Sequence, residues 1–526
     1  MIIIIDLLLT ILGCELGIAH PPGYPLFTVM VHFLIKLVKY FPHLTPAYFV
    51  NLSSAVFTSL AAALIGLSIK LSTKPSLYTN SSILLSMGMF AFSPLIWQYA
   101  TTAEVFPMNT FFAALIIYLV ILFTTSHKLY IAYIGAFICG LALCNQHTII
   151  LYEIPLILWI LYLLKHTIYT QPIILLILSL SFLVGLIPYI YLPLSDALNP
   201  RPGSWGRPST LHGFVHHILR RDYGTFKLYS GDTSKKISEG LYERNIAYFN
   251  DLNEYQGLYC IHILVAIAVL FYAYYPTAPA TPTVTASSTT TQPLQTVSKQ
   301  GKSGDSTVPV ASIALNSNVT VSKRKSTSTS LPSSTTASPP TPPPSTLSPQ
   351  RPNAYLTLPA LARYTPTVLI LTQGFYLTVF HGLSNLPLSD PLLYGVHKRF
   401  WMQPAVLTFY WAGIGYLLLA EGIEYVAILL SHSITTRLTK TKHNKNSNSN
   451  IPHNSDQTIR YIIYTTSSIY TCIAMFLVYT QYKKWLGVSD QRQATYFARY
   501  ATAMLTPLPP KALLFVSYDQ QWTSIR

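Results

Sequence analysis

Apolar stretches long enough to cross a bilayer recur along the whole chain, at 47–69, 81–98, 108–125, 129–145, 149–164, 172–192, 257–275, 366–383, 403–425 and 461–480. About 20 apolar residues wound as a helix span a hydrocarbon core. Lipid offers no hydrogen-bond partner to an open backbone, so each stretch must be helical, and irregular chain must lie between the stretches or against protein. The expected fold class is an all-α polytopic membrane protein. Composition agrees, with 51% hydrophobic and only 10% charged residues. A net charge of +16 in a soluble chain would point to nucleic acid. Here much of the excess lies in loops and in one low-complexity insert, where it sets membrane orientation, and no nucleic acid is an expected partner. Cys14, Cys139, Cys144, Cys260 and Cys472 lie mostly in apolar segments without metal-ligand spacing and read as small core residues.

Between the spans, loop charges give an orientation. Lys36 and Lys39 interrupt 24–41, with His32 nearby, so this segment reads as an interfacial amphipathic helix. The loops carrying Lys70, Lys74, Lys128, Lys165 and 437–445 are then cytosolic by the positive-inside rule. The lumenal face collects Glu104, Asn145-Gln146-His147, the loop 194–256 and the C-terminal tail. Lys483 and Lys484 run against this scheme, which makes the last span its weakest part.

Residues 276–352 form a Ser/Thr/Pro tract with too little apolar surface to fold, expected to be a disordered cytosolic insert. A mucin-like stalk is the alternative, and the sequon Asn318-Val319-Thr320 matters only under the opposite topology. The chain therefore divides into an N-terminal membrane region (1–275), the insert (276–352), C-terminal membrane helices (353–482) and the start of a lumenal soluble domain (483–526). Residues 511–518 read as the first strand of that domain, and the chain reads as truncated after it.

Candidate chemistry gathers on the lumenal face. The run His20-Pro21-Pro22-Gly23-Tyr24-Pro25 cannot continue a helix and must turn at the bilayer edge, holding a histidine and a tyrosine where lipid-linked substrates meet side chains. Glu104 follows the aromatic run 97–103 and is either a boundary charge or a site-lining acid. Asn145, Gln146 and His147 end a span and either cap the helix or bind a sugar. In the loop beyond 193, Trp205 offers an aromatic face to a sugar, while Arg220, Arg221 and Tyr223 form a basic turn suited to phosphate. An arginine pair on a solvated helix face is the plain alternative, and Arg201, Arg207 and Arg399 are the next phosphate candidates. The adjacent His216 and His217 diverge by about 100° on a helix, and no acidic or cysteine partner stands at regular spacing, so no metal site is expected.

Taken in order, the blocks 15–19, His20-Pro21-Pro22-Gly23-Tyr24-Pro25-Leu26-Phe27, 51–57, 97–106, 145–148, 188–193, 220–226 and 398–403 resemble the transmembrane protein 260 family. The resemblance implies a GT-C-like transmembrane domain with lumenal loops, resident in the endoplasmic reticulum membrane. It implies an inverting protein O-mannosyltransferase with dolichyl phosphate mannose as lipid-linked donor and no cofactor. Serine or threonine of secretory-pathway domains, such as plexin-like receptor ectodomains, would be the acceptor. In that fold a carboxylate of the first lumenal loop takes the acceptor proton and basic groups stabilise the leaving dolichyl phosphate. The family carries an acid followed by Ser-Gly-Glu-Leu upstream of the motif histidine; this chain has Asp6 near the corresponding distance, in an apolar run without that sequel. Asp6, His20, Tyr24 and Glu104 are therefore the candidate catalytic residues. A truncated or mispredicted N-terminus is the alternative reading of that departure. Two other readings stand beside the enzyme: a catalytically inactive membrane scaffold of the same family, and a transporter. The transporter is disfavoured because the polar residues sit at helix ends on one face and no inverted repeat is visible.

Overall fold

The computed structural model describes residues 15–198, 201, 204–222, 224, 239–256, 260–274, 363–443, 455–490 and 496–509. Asp6, Tyr223, the 276–352 insert and the strand expected at 511–518 lie outside the described residues. Among the described residues all regular structure is helical: α1 (Pro25–Ile35), α2 (Pro46–Ser72), α3 (Thr79–Ala91), α4 (Pro94–Ala100), α5 (Val105–Ser126), α6 (Leu129–Leu143), α7 (Ile150–Thr170), α8 (Ile173–Gly185) and α9 (Tyr191–Leu198). After these come α10 (Leu211–Ile218), α11 (Leu241–Asp251), α12 (Cys260–Tyr274), α13 (Thr365–Leu383), α14 (Pro391–Lys398), α15 (Met402–His443), α16 (Ser455–Ser489) and α17 (Tyr496–Leu505).

The protein is a multi-pass membrane protein. Five helices are long and apolar enough to cross a bilayer, and seven if each of two bent pairs counts as one span. The bent pairs are where the apolar pattern alone predicts straight helices. The stretch 81–98 breaks between α3 and α4, which meet at 65°. Pro94 is the cause: it has no N–H to donate, and its ring drives Ser93 into the extended region at φ −67°, ψ 138°. The stretch 172–192 bends by 43° between α8 and the helix that follows, where Pro188 falls in a 3₁₀ turn. Two further apolar helices, α6 and α12, have 15 residues each. The segment 24–41 becomes α1, about 16 Å long at its 11 residues, and a 3₁₀ turn (Lys36–Tyr40), too short together to cross.

The core is organised around α15. Residues 402–417 are buried on every face, because the sequence there is apolar all round rather than striped. Small residues let neighbours come close: Ser82 and Ser86 of α3 donate to the carbonyls of Gly413 and Phe409 at 2.6 and 2.7 Å. A side chain at Gly415 would run into the Leu264 carbonyl of α12. Gly140 and Gly185 play the same part where α6 crosses α8. Beyond residue 420, α15 turns largely exposed. The helix ends carrying Glu104, Gln146, Arg220 and Arg399 converge at one end of this bundle.

Candidate active site

The His-Pro-Pro-Gly segment forms a closed turn, with Gly23 N–H donating to the His20 carbonyl at 2.9 Å. Gly23 sits at φ +96°, and a Cβ there would stand 3.0 Å from Leu192 Cδ1 and 3.1 Å from His217 Nε2, so only glycine fits. Tyr24 follows at φ 42°, a left-handed conformation that costs a non-glycine residue about 1–3 kcal/mol. The surrounding chain holds it there. Leu26 N–H donates to the Cys144 carbonyl at 3.2 Å and Trp205 N–H to the Ile18 carbonyl at 3.0 Å. Tyr191 Oη and Ser195 Oγ donate to the Gly17 and Leu16 carbonyls at 2.8 and 2.7 Å. The turn is thus stitched to the end of α6 and to the loops around α9.

A cavity of ≈150 Å³ opens beside this turn, and His20, Tyr24, Glu104, Gln146, His147, Arg220 and Arg399 line it. Phe106, Val396 and Phe400 supply its apolar wall. Five separate stretches of sequence meet there. A larger cavity of ≈430 Å³ lies among α5, α6, α7 and α8, but its lining carries no charged side chain.

An ion pair forms the electrostatic centre. Arg399 Nη1 donates to Glu104 Oε1 at 2.7 Å, with side-chain exposures of 4% and 1%. Glu104 is the N-cap residue of α5, and Arg399 begins the 3₁₀ turn Arg399–Trp401 between α14 and α15. Burial pushes the Glu104 carboxyl up, and the Arg399 guanidinium pulls against it. The guanidinium also lies 5.6 Å from the Phe106 ring centroid. Arg220 brings a second cation and is itself held at φ 52°, just past the end of α10. Two guanidinium groups among the lining residues are the planar donors that suit an oxyanion.

The histidines are neutral donors or acceptors by position. Burial, then the charges of Arg220 and Arg399 and the neighbouring His217, lower His20 to about 4. Tyr24 Oη lies 3.3 Å from His20 Nε2, and the Trp205 ring meets the His20 ring edge-on at 6.3 Å. His147 Nε2 lies 2.5 Å from Tyr189 Oη, which in turn donates to the Leu143 carbonyl at 2.9 Å. Since that hydroxyl has one proton, His147 must donate through Nε2.

Of the residues singled out from the sequence, His20, Tyr24, Glu104, Gln146, His147 and Arg220 line the cavity together. Trp205 touches it only through His20. Asn145 faces elsewhere: its Nδ2 donates to the Val105 carbonyl at 3.0 Å and ties the end of α6 to the start of α5. Arg221 does not line the cavity; its N–H closes the turn after α10 on the His216 carbonyl at 3.1 Å. Asp6 and Tyr223 lie outside the described residues. Arg399, read from the sequence only as a reserve phosphate candidate, is central, and its signal was the block Lys398-Arg399-Phe400-Trp401. Among the described residues no three His, Cys, Asp or Glu are grouped to hold a metal.

Comparison with known proteins bears on this site. Residues 9–170 match the family model described as the protein O-mannosyl-transferase TMEM260 N-terminal domain. A mouse protein O-mannosyl-transferase TMEM260 is 42% identical over 45% of this chain and 34% of its own length. A Dictyostelium discoideum protein O-mannosyl-transferase tmem260 is 27% identical over 97% of this chain and 50% of its own length. The chain thus spans half or less of the curated relatives it matches. No solved structure matches.

Proposed function

We propose that this chain, whose residues 9–170 belong to the TMEM260 family, is the membrane part of a protein O-mannosyltransferase of the endoplasmic reticulum. In this reading it transfers mannose from dolichyl phosphate mannose to a serine or threonine hydroxyl of a secretory-pathway domain. The observation that carries the reading is the meeting of Arg220 and Arg399 with the strained His20–Tyr24 turn around one cavity at a helix-bundle end. A lipid phosphate presented there meets two planar guanidinium forks, and a sugar meets the rings of His20 and Tyr24.

The reaction is a single displacement. The acceptor oxygen bonds to C1 of mannose from the face opposite the phosphate, the acceptor proton passes to a carboxylate, and the C1–O electron pair leaves with dolichyl phosphate. Negative charge on that phosphate grows as the bond breaks, so Arg220 and Arg399 act more strongly on the transition state than on the bound donor. Glu104 keeps Arg399 aimed, and Asp6 is the candidate for the carboxylate that takes the proton. His20, neutral at lumenal pH, orients Tyr24 and the sugar.

The test is mannose transfer by full-length protein reconstituted with dolichyl phosphate mannose and a folded acceptor domain. His20→Ala should abolish transfer while leaving the protein abundant in the membrane. Full transfer by His20→Ala makes the turn structural only. An inactive parent protein that still reaches the membrane favours the scaffold reading.

A further inference from the structure

A second buried polar cluster sits where α11, the C-terminal end of α13 and α14 meet, and it shares no residue with the cavity above. Its centre is Arg244, 1% exposed and in no ion pair among the described residues. Arg244 Nη1 donates to Ser384 Oγ at 3.4 Å, and Nη2 has no acceptor among the described residues. The acids whose charge reaches it are committed elsewhere: Glu239 Oε1 accepts from Ser389 N–H at 3.1 Å and Glu243 Oε2 from Gly240 N–H at 2.8 Å.

Two buried histidines stand beside it, His381 and His397, their rings stacked with centroids 5.5 Å apart. The His381 proton can be placed by elimination. An indole N–H only donates, so Trp401 Nε1, 3.0 Å from His381 Nε2, makes that nitrogen an acceptor and puts the His381 proton on Nδ1. A guanidinium also only donates, so Ser384 Oγ accepts from Arg244, and the same hydroxyl lies 3.0 Å from His397 Nδ1, with which it shares a proton in either direction. Arg244 Nη2, His381 Nδ1 and His397 Nε2 are all without partners among the described residues. One cluster therefore holds two buried donors without acceptors among the described residues, Arg244 Nη2, which is cationic, and His381 Nδ1, with the unpartnered His397 Nε2 beside them. Native interiors rarely leave such groups unpaired unless a bound species completes them.

The helix above the cluster indicates which species. On α11, Arg244, Tyr248 and Asp251 form the buried stripe, while Tyr242, Ile246 and Phe249 form an exposed one at the same spacing. An exposed apolar stripe on a short helix of a membrane protein lies in the interface, with its axis along the bilayer surface. An interfacial α11 would set Arg244 and the two histidines at headgroup depth, where the abundant oxyanion is phosphate.

We propose that Arg244, His381 and His397 form a binding site for a phosphate group beneath α11, separate from the Arg220–Arg399 cavity. It is tested on full-length protein in a phosphate-free maltoside detergent, by thermal unfolding during titration with inorganic phosphate and, separately, with dioleoylphosphatidylglycerol, each against chloride at equal ionic strength. The expected result is a saturable rise in Tm whose apparent Kd weakens by about tenfold or more in Arg244→Met and in His381→Phe, since each removes a donor to the anion. A rise with the lipid alone assigns a headgroup, and a rise with inorganic phosphate as well assigns a soluble anion; both support the site. Without phosphate, Arg244→Met should unfold no lower than the parent, because it removes a buried cation that lacks its counterion. No Tm response in the parent, or an undiminished response in both variants, overturns the proposal. Loss of mannose transfer in a cavity variant does not touch it.

Discussion

Arg399 donates to Glu104 at 2.7 Å across 295 positions of sequence, and the pair joins the start of α5 to the turn that leads into α15. Its neighbour Lys398 pairs in another direction, with Asp251 at the end of α11. Two consecutive basic residues thus fix one short turn between two acids on different elements. The position of the Arg399 guanidinium in the cavity is set by that double anchorage.

Breaking the buried pair from the acid side should be costly. Glu104→Ala takes the carboxylate away from the buried Arg399 guanidinium, and should lower stability by about 3–5 kcal/mol. The double variant Glu104→Ala/Arg399→Met should recover most of that loss in thermal unfolding yet transfer no mannose. Recovery of both properties would remove the pair from the chemistry.

The two adjacent arginines should separate cleanly. Arg220 lines the cavity and Arg221 does not, so Arg220→Lys should lower turnover by about tenfold to a thousandfold while Arg221→Lys stays near the parent rate. Arg220→Gly relieves a left-handed residue, which at about 1–2 kcal/mol should show as a gain in stability alongside lost turnover. Equal rates for both lysine variants would place the phosphate elsewhere.

Stability should depend on pH through His20. Its ordinary value of 6.5 falls to about 4 in the folded protein, so the unfolded chain binds the proton more tightly. The neutral form's contribution is complete above pH 6.5, falls as the pH drops toward 4, and is constant below that. At 1.36 kcal/mol per unit the span is at most about 3 kcal/mol, and less because the ring is only partly buried. His20→Asn should make the slope of unfolding free energy over that window shallower without abolishing it. Buried His217 is lowered too and leaves a residual slope.

Tyr189 accepts from His147 and donates to the Leu143 carbonyl, so one hydroxyl holds the cavity histidine against the end of α6. Tyr189→Phe should leave the His147 N–H without its acceptor and lower turnover by about tenfold, at a stability cost of about 1–3 kcal/mol. Unchanged kinetics would make His147 a wall residue only.

The sequence makes the helices legible because lipid forces a simple rule, apolar length, onto every span. It does not announce Pro94 as a break rather than an N-terminal cap within one span, since the same residue serves both. Hydropathy also cannot distinguish residues 402–417, wrapped by protein, from the lipid-facing surface of α8, because both are apolar. At the site, His20 and Tyr24 stand out because Pro-Pro-Gly dictates a turn. Arg399 does not stand out, because its meaning depends on Glu104, and no local pattern links positions so far apart. Asn145 looks like a ligand-binding amide beside Gln146 and His147, yet a one-residue step around the turn sends it to a backbone carbonyl instead.

The same separation sets an order of events during synthesis. Glu104 enters the membrane long before its partner exists, and at about 5–20 residues per second the ribosome needs about 15–60 s to deliver Arg399. Until then the early helices stand without the central helix they pack against. For that interval an acid at the edge of α5 depends on water, lipid headgroups or a membrane chaperone for its counterion. The half-made protein is therefore most exposed to quality control just before α15 arrives, however stable the finished bundle becomes.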